Sequence, residues 1–327
     1  MIRKALISSI MPLLLVAACS TTGGWIENPY SHYPEADYVC AVGRGYSQDE
    51  ADLDARKELA SVFGLAVNST ITRTVAETTN LETTDYSEYL LSTTQASVNV
   101  DNLYGVEIVK RVQAEDGSFR SLAVMEKTVT RNSHAALIES DLDEIEAIRN
   151  GISYDGSFST LGKASKLVTL CGECNTRIVM YNYLSGENRA LINLSESKEI
   201  YRQALSSIVL ETEVTGDDTG AVKSAVNKIL TDAGFAVSNG KLAPTAKARV
   251  SINWIRTAGI GNPFIFANYN ADVSVVDLKG NETVMVFSTS DKEGHQIYES
   301  AQSRAIKRLI GTLEEEFSVQ LLKKYTF

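Results

Sequence analysis

The chain has 327 residues, 44% of them hydrophobic, and 41 acidic against 31 basic side chains give a formal charge of −10. A chain this acidic, with no basic stripe along it, is repelled by phosphate backbones, which excludes nucleic acid as a partner. The length suits two domains with cores of their own, and four cysteines are too few for a disulfide framework.

Residues 1–18 read as a signal peptide. Met1-Ile2-Arg3-Lys4 is basic, and the apolar run from Ala5 to Ala18 is broken by Ser8, Ser9 and Pro12. A bilayer-crossing helix needs about 20 apolar residues, so this run is a signal-peptide core. Leu15-Val16-Ala17-Ala18-Cys19-Ser20 resembles the lipobox of bacterial lipoproteins. That resemblance implies a diacylglyceryl group on the Cys19 thiol, usually with a further acyl chain on the amine freed by cleavage. The bare residues also admit an ordinary secretory signal with a cysteine near its cleavage site. Two or three acyl chains hold a protein stably on a membrane, with nothing required of the folded part. Ser20 stands where an inner-membrane retention signal places Asp, which by the same resemblance implies the outer membrane, facing the periplasm. The mature chain then carries 29 bases against 41 acids, a formal −12, and its cysteines beyond Cys19 are Cys40, Cys171 and Cys174. Three thiols allow one disulfide and a leftover.

Residues 19–35 read as a lipidated tether with Gly23-Gly24, Pro29 and Pro34, whose Trp25, Tyr30 and Tyr33 suit either a domain surface or a headgroup layer. A first α/β domain is expected over 36–132. Ala36 to Gly45 reads as a strand entering a glycine turn. Ser47 and Glu50 form a capping box for a helix with Ala51, Ala55, Leu59, Val62 and Phe63 on one face, which Gly64 ends. Leu65 to Glu77 alternates as a half-buried strand, and Tyr86 to Val98 is ambiguous, with a helical centre. Val106 to Ala114 and Phe119 to Val129 pair across Glu115-Asp116-Gly117-Ser118, whose Asp-Gly step is a turn signal.

Gly43-Arg44-Gly45 is half of a dinucleotide fingerprint. The third glycine is replaced by Gln48, and Asp49 and Glu50 would repel a pyrophosphate, so the pair reads as structural. The run Tyr38-Val39-Cys40-Ala41-Val42-Gly43-Arg44-Gly45-Tyr46-Ser47, followed by Ala51 and Ala55, resembles the opening of the twenty-kilodalton outer-membrane lipoprotein family (the Lpp-twenty family). It is similar also to the N-terminal domain of the flagellar assembly protein T. The resemblance covers about residues 36–135. It implies a small α/β domain, life at the outer membrane with flagellar or motility machinery as a partner in some members, and no catalytic residues.

Residues 133–185 read as a helical hairpin joining two domains, one helix from Ser133 to Asn150 and a second from Thr160 to Leu184, with a Gly- and Ser-rich turn at 151–162. Gly156 to Ser165 misses the P-loop spacing. Cys171-Gly172-Glu173-Cys174 is the sharpest chemical signal. A redox Cys-x-x-Cys wants its first thiol at a helix N-terminus, and a zinc site wants two more ligands, while His32, His134 and His295 are scattered singly. Buried or passively oxidised cysteines are therefore expected, with a thiol-disulfide role for Cys171 and Cys174 as the alternative.

Residues 185–204 read as a polar connection with a short helix near Lys198 to Ala204, followed by a second α/β domain over 205–327. Its expected order is β-α-β-β-β-β-α, one sheet with helices on one face: strand Ser207–Thr215, helix Gly220–Ala233, a strand from Phe235, then Ala248–Arg256, Ala267–Leu278 and Glu282–Ser290. A C-terminal helix, Ile297 to Lys324, repeats Ala301, Ala305, Leu309, Leu313, Phe317 and Leu321 every four residues. Asp217-Asp218 lacks calcium-loop spacing and reads as a solvated turn. The apolar Gly259–Phe266 loop is either a partner-binding edge or folded back on the core.

The fold class is thus α+β or α/β, two sheet-plus-helix domains. No Gly-x-Ser-x-Gly elbow, His-Glu-x-x-His pair or P-loop is present, so no enzyme and no cofactor beyond the Cys19 lipid is expected. The leading reading is a structural or assembly lipoprotein of the envelope, working by protein contact. A thiol-disulfide protein and a cell-wall or small-ligand binding module are the alternatives, and a homo-oligomer stays open.

Overall fold

The computed structural model describes residues 24–77, 105–258, 261 and 263–325. The chain is α+β and divides into two compact units, the first built from residues up to 69 and 105–130, the second from 70–77 and 131 onward. The lipobox with Cys19, and the Tyr86–Val98 segment, lie outside the described residues.

In the first unit three strands, β1 (Tyr38–Gly45), β2 (Val106–Gln113) and β3 (Phe119–Glu126), form an antiparallel sheet in the order β1-β3-β2. The helix Gln48–Glu77 packs on one face. Its start follows the capping box: the Ser47 hydroxyl accepts the Glu50 N–H at 3.3 Å, and the Glu50 carboxylate accepts the Tyr46 N–H at 2.8 Å. The strand expected over Leu65–Glu77 is instead the second half of this helix. Leu59, Phe63 and Val67 are fully buried at four-residue spacing, and that stripe overrides both the alternation after Gly64 and the cost of about 1 kcal/mol for a glycine inside a helix. Val62, expected on the buried face, is exposed.

Gly43 and Gly45 lie within β1 and not in a turn. A Cβ on Gly43 would sit 2.0 Å from the Ala55 nitrogen, and one on Gly45 would sit 2.5 Å from the Ala51 nitrogen. The two glycines and two alanines therefore let strand and helix backbones touch. The stem expected to be a tether packs on the opposite face. Helix Gly24–Glu27 and a 3-10 turn Pro29–Ser31 place Trp25 against Cys40, Leu122 and Val124, with Tyr30 and Tyr33 alongside.

The helix expected from Ser133 begins earlier and runs Lys127–Asn150, and β3 accordingly ends at Glu126 and not Val129. Thr128, Val129 and Thr130 suit strands by type, and here Thr130 satisfies its hydroxyl by donating back to the Glu126 carbonyl at 2.9 Å.

In the second unit the helix Phe158–Ser185 is capped by Ser157 and closed by Gly186 at positive φ. It packs with Lys127–Asn150 and with Leu194–Ser207 through Ile138, Ile145, Leu167, Leu170 and Leu194. Residues 186–193 are no loose connection. The buried Asn175 amide accepts the Ile192 N–H at 2.7 Å and donates to its carbonyl at 2.9 Å, while Asn182 makes the same double bond to Arg189. Two helix asparagines thus strap the segment down, and Asn193 caps a helix longer than expected, Leu194–Ser207.

The second sheet runs β5-β4-β6-β7-β8, with β4 (Val209–Thr215) parallel to β5 (Ala236–Val237) and to β6 (Ala246–Ala258). Strands β6, β7 (Ile265–Asp277) and β8 (Glu282–His295) form an antiparallel meander. One face carries Leu210, Val250, Ile252, Val273, Val275 and Phe287 into a core shared with the helices Ala221–Asp232 and Tyr298–Thr312. Alternate residues on the other face, among them Arg249, Ser251, Asn270 and Ser288, are exposed. The buried Asp277 carboxylate accepts N–H groups from Phe158 at 3.0 Å, Lys279 at 2.8 Å and Gly280 at 3.2 Å, fixing a helix start to the β7–β8 turn.

The C-terminal helix changes pitch. After Thr312 comes a π-helical turn, Leu313–Phe317, then helix Ser318–Tyr325. A four-residue repeat overshoots an α-helical turn by about 40° each time, and the wider turn absorbs that drift, so that Leu309, Leu313 and Phe317 all reach the core fully buried.

Candidate functional site

Cys171 and Cys174 lie in the interior of Phe158–Ser185, far from its N-terminal dipole. Both are reduced and fully buried, within the apolar contact of three helices. Burial pushes the Cys171 thiol up, opposed by a hydrogen bond with Ser197. Burial pushes Cys174 up to about 12, and the nearby Asp141 carboxylate adds to the shift. A nucleophilic or metal-binding cysteine acts as thiolate, and this setting disfavours thiolate at both positions. Cys40 is likewise reduced and buried, and its thiol is raised to about 11 by burial.

Near Cys174 lies a polar seam between Lys127–Asn150 and Phe158–Ser185 that involves titrating groups on both. Arg177 donates to Asp141 at 2.5 Å and approaches Glu173 at 3.9 Å. Burial raises the Asp141 carboxyl even with the guanidinium beside it. His134 is buried, and desolvation, reinforced by Arg177, holds its imidazole down at about 4. The cluster is a salt bridge and a neutral imidazole. No group of three or more potential ligands arranged for a metal occurs among the described residues.

In the first unit Asp52 is the strongest electrostatic centre. It accepts from Arg111 at 2.8–3.1 Å, from Ser121 at 2.5 Å and from Gln48 at 2.8 Å, and the Arg111 hydrogen bond leads in lowering its carboxyl to about 2. These contacts tie a helix to two strands. Asp217, weighed as a cation ligand, accepts the Thr219 and Val222 N–H groups at 2.9 and 2.8 Å and so caps the helix Ala221–Asp232.

The far end of the second sheet differs from all of these. From Ile255 to Ala258 every residue of β6 is exposed, while Ala267, opposite Arg256 on β7, is fully buried. Ile255 is 47% and Phe264 42% exposed. The Phe266 ring lies over Gly294, where a Cβ would come within 2.7 Å of it. The Lys292 ammonium stands 5.7 Å above the same ring, and the Arg256 guanidinium 5.0 Å above the Tyr298 ring. Of the neighbouring acids, Asp291 accepts from Arg308, which approaches Glu293 at 3.8 Å. Of the expected Gly259–Phe266 loop, Ile265 and Phe266 belong to β7, and residues 259, 260 and 262 lie outside the described residues.

No protein-family model matches the chain, and no curated protein matches it. Among solved structures, a secreted protein from Helicobacter pylori is similar at 12% identity over 88% of this chain and 97% of its own, with a TM-score of 0.49. A minor lipoprotein from Acinetobacter baumannii is similar at 18% identity over 36% of this chain and 93% of its own, TM-score 0.28. A lipoprotein-like chain from Caulobacter crescentus follows at 14% identity, 35% and 91% coverage, and TM-score 0.27. None of these scores establishes a common fold. Among the described residues, no helix is long and apolar enough to cross a membrane.

Proposed function

We propose that the protein is a non-enzymatic lipoprotein of the bacterial outer membrane, anchored through Cys19 and acting by protein contact in envelope assembly, with flagellar machinery as a partner class. The lipobox Leu15–Cys19 carries this reading. The folded stem supports it: the described chain begins at Gly24 and already packs Trp25 on the first sheet, so a lipid on Cys19 would hold that unit within about 20 Å of its membrane. The burial of Cys171 and Cys174 counts against the thiol-disulfide alternative, and the uncovered polar face of the second sheet offers a platform for contact.

The test is crosslinking in cells, purification from detergent-solubilised membranes and mass spectrometry of the proteins recovered, with Cys19→Ser as the unanchored control. Envelope or flagellar components recovered with the parent chain and lost with the control are the expected result. An intact mass without acyl chains on Cys19, or the same recovery from both forms, would overturn the reading.

A further inference from the structure

We propose that residues 24–33 form a releasable strap, hinged at Pro34, which lifts from the first sheet while β1, β2 and β3 stay paired. The two parts of the stem are held in different ways. From Pro34 onward the backbone is pinned. The Pro34 carbonyl accepts the Asp37 and Tyr38 N–H groups at 2.9 and 3.0 Å, the Lys127 N–H donates to the Asp37 carbonyl at 2.9 Å, and the Lys127 ammonium donates to the Glu35 carbonyl at 2.7 Å. Before Pro34, no backbone–backbone hydrogen bond joins the stem to the sheet among the described residues. The one hydrogen bond that does so runs from the Cys40 N–H to the Tyr30 hydroxyl, at 3.5 Å. Helix Gly24–Glu27 is a single turn, too short to persist unsupported. The hold is therefore apolar contact alone, from Trp25, Ile26, Tyr30 and Tyr33. A segment attached in this way opens at lower free energy than strands held by a ladder. Beneath it lie Cys40, Leu122 and Val124, buried on a sheet whose edge strand is β1. Release bares this apolar face beside a strand edge, the combination that accepts a partner. It also lengthens the link to Cys19 from about 20 Å to about 50 Å.

The gain in reach rests on the membrane-lipoprotein reading; the release does not, and it is tested apart. In the native mature chain, labelling of Cys40 by N-ethylmaleimide is followed by mass spectrometry beside amide exchange in β1 and β3. Each rate, divided by that of the unprotected group, gives an opening constant. The constant at Cys40 is expected to exceed that of the β1 and β3 amides about a hundredfold or more, and to depend less steeply on denaturant, as a local opening does. Equal constants would overturn the proposal, since Cys40 would then be reached only by unfolding the sheet. Trp25→Ala should raise Cys40 labelling about tenfold or more, with the β1 and β3 amides still better protected than the thiol. Labelling unchanged by that substitution would also overturn it, because the strap would not be what covers Cys40. An intact mass without acyl chains on Cys19 would sink the anchor and the gain in reach, and leave the labelling result standing.

Discussion

The two units cover their sheets in opposite ways. In the first, both faces of a short sheet are closed, one by backbone contact between Gly43, Gly45, Ala51 and Ala55, the other by the aromatic stem around Trp25. In the second, helices close one face of a larger sheet with large side chains, and the other face stays polar and open. A sheet sealed on both sides can serve as a spacer or a base. A sheet sealed on one side retains surface for contact. The units also respond differently to acid, because one relies on an ionised carboxylate and the other on a neutral histidine.

These differences can be broken one at a time. Phe317→Ala, in the second core, should cost about 4 kcal/mol. Amide exchange read by mass spectrometry should speed up in β6 to β8 and stay unchanged in β1 and β3.

His134 has the next largest effect, through pH. Its folded value of about 4 lies below the ordinary imidazole value, so between about 6.5 and 4 the unfolded chain binds a proton that the folded chain refuses. Stability of the second unit should therefore fall by about 3 kcal/mol as pH drops across that window. His134→Gln should remove the slope there, as followed by denaturant titration at several pH values.

Gly43→Ala acts on the first unit, since its methyl would collide with the Ala55 backbone. A loss of about 2–3 kcal/mol is expected, seen as faster exchange in β1 and β3 alone. Asp52 contributes less. Its carboxyl is depressed to about 2, so its contribution is complete above about pH 4 and is lost as pH falls toward 2. Allowing for partial exposure of the pair with Arg111, Asp52→Asn should cost roughly 1.5 kcal/mol at neutral pH and only a small fraction of that at pH 2.

The smallest perturbation is chemical. Maleimide should label Cys171 and Cys174 in the native chain only as fast as the helices open, and at the rate of a free thiol once denatured. Rapid labelling of the native chain would return the thiol-disulfide reading to the front.

Much of this was legible in the residues, for identifiable reasons. Alternation along β6 to β8 revealed the meander because one face is buried and the other wet, which is the condition under which period two is visible. The Ser47–Glu50 capping box and the Asp116-Gly117 turn were legible because they are local. The sequence misled after Gly64, where a four-residue stripe and a two-residue alternation overlap on Val67, and tertiary packing chose the helix. It gave no sign of Asn175, Asn182 or Asp277, whose partners lie along other segments and are met only when the chain folds. Cys171 and Cys174 carried a motif by spacing alone, and their place inside the helix expected over Thr160 to Leu184 was the better guide. The apolar loop before Phe266 was visible as composition, but the exposure of Ile255 to Ala258 on the strand before it was not.

At Leu313–Phe317 the C-terminal helix holds one residue more than an α-helical turn would. Removing one of the exposed Glu314, Glu315 or Glu316 leaves an α-helix whose Phe317 still meets the core. The same deletion near Ala305 would rotate all that follows by about 100° and lift Leu309 from the sheet. The helix therefore has one place where its length is negotiable, and three solvated acids occupy it.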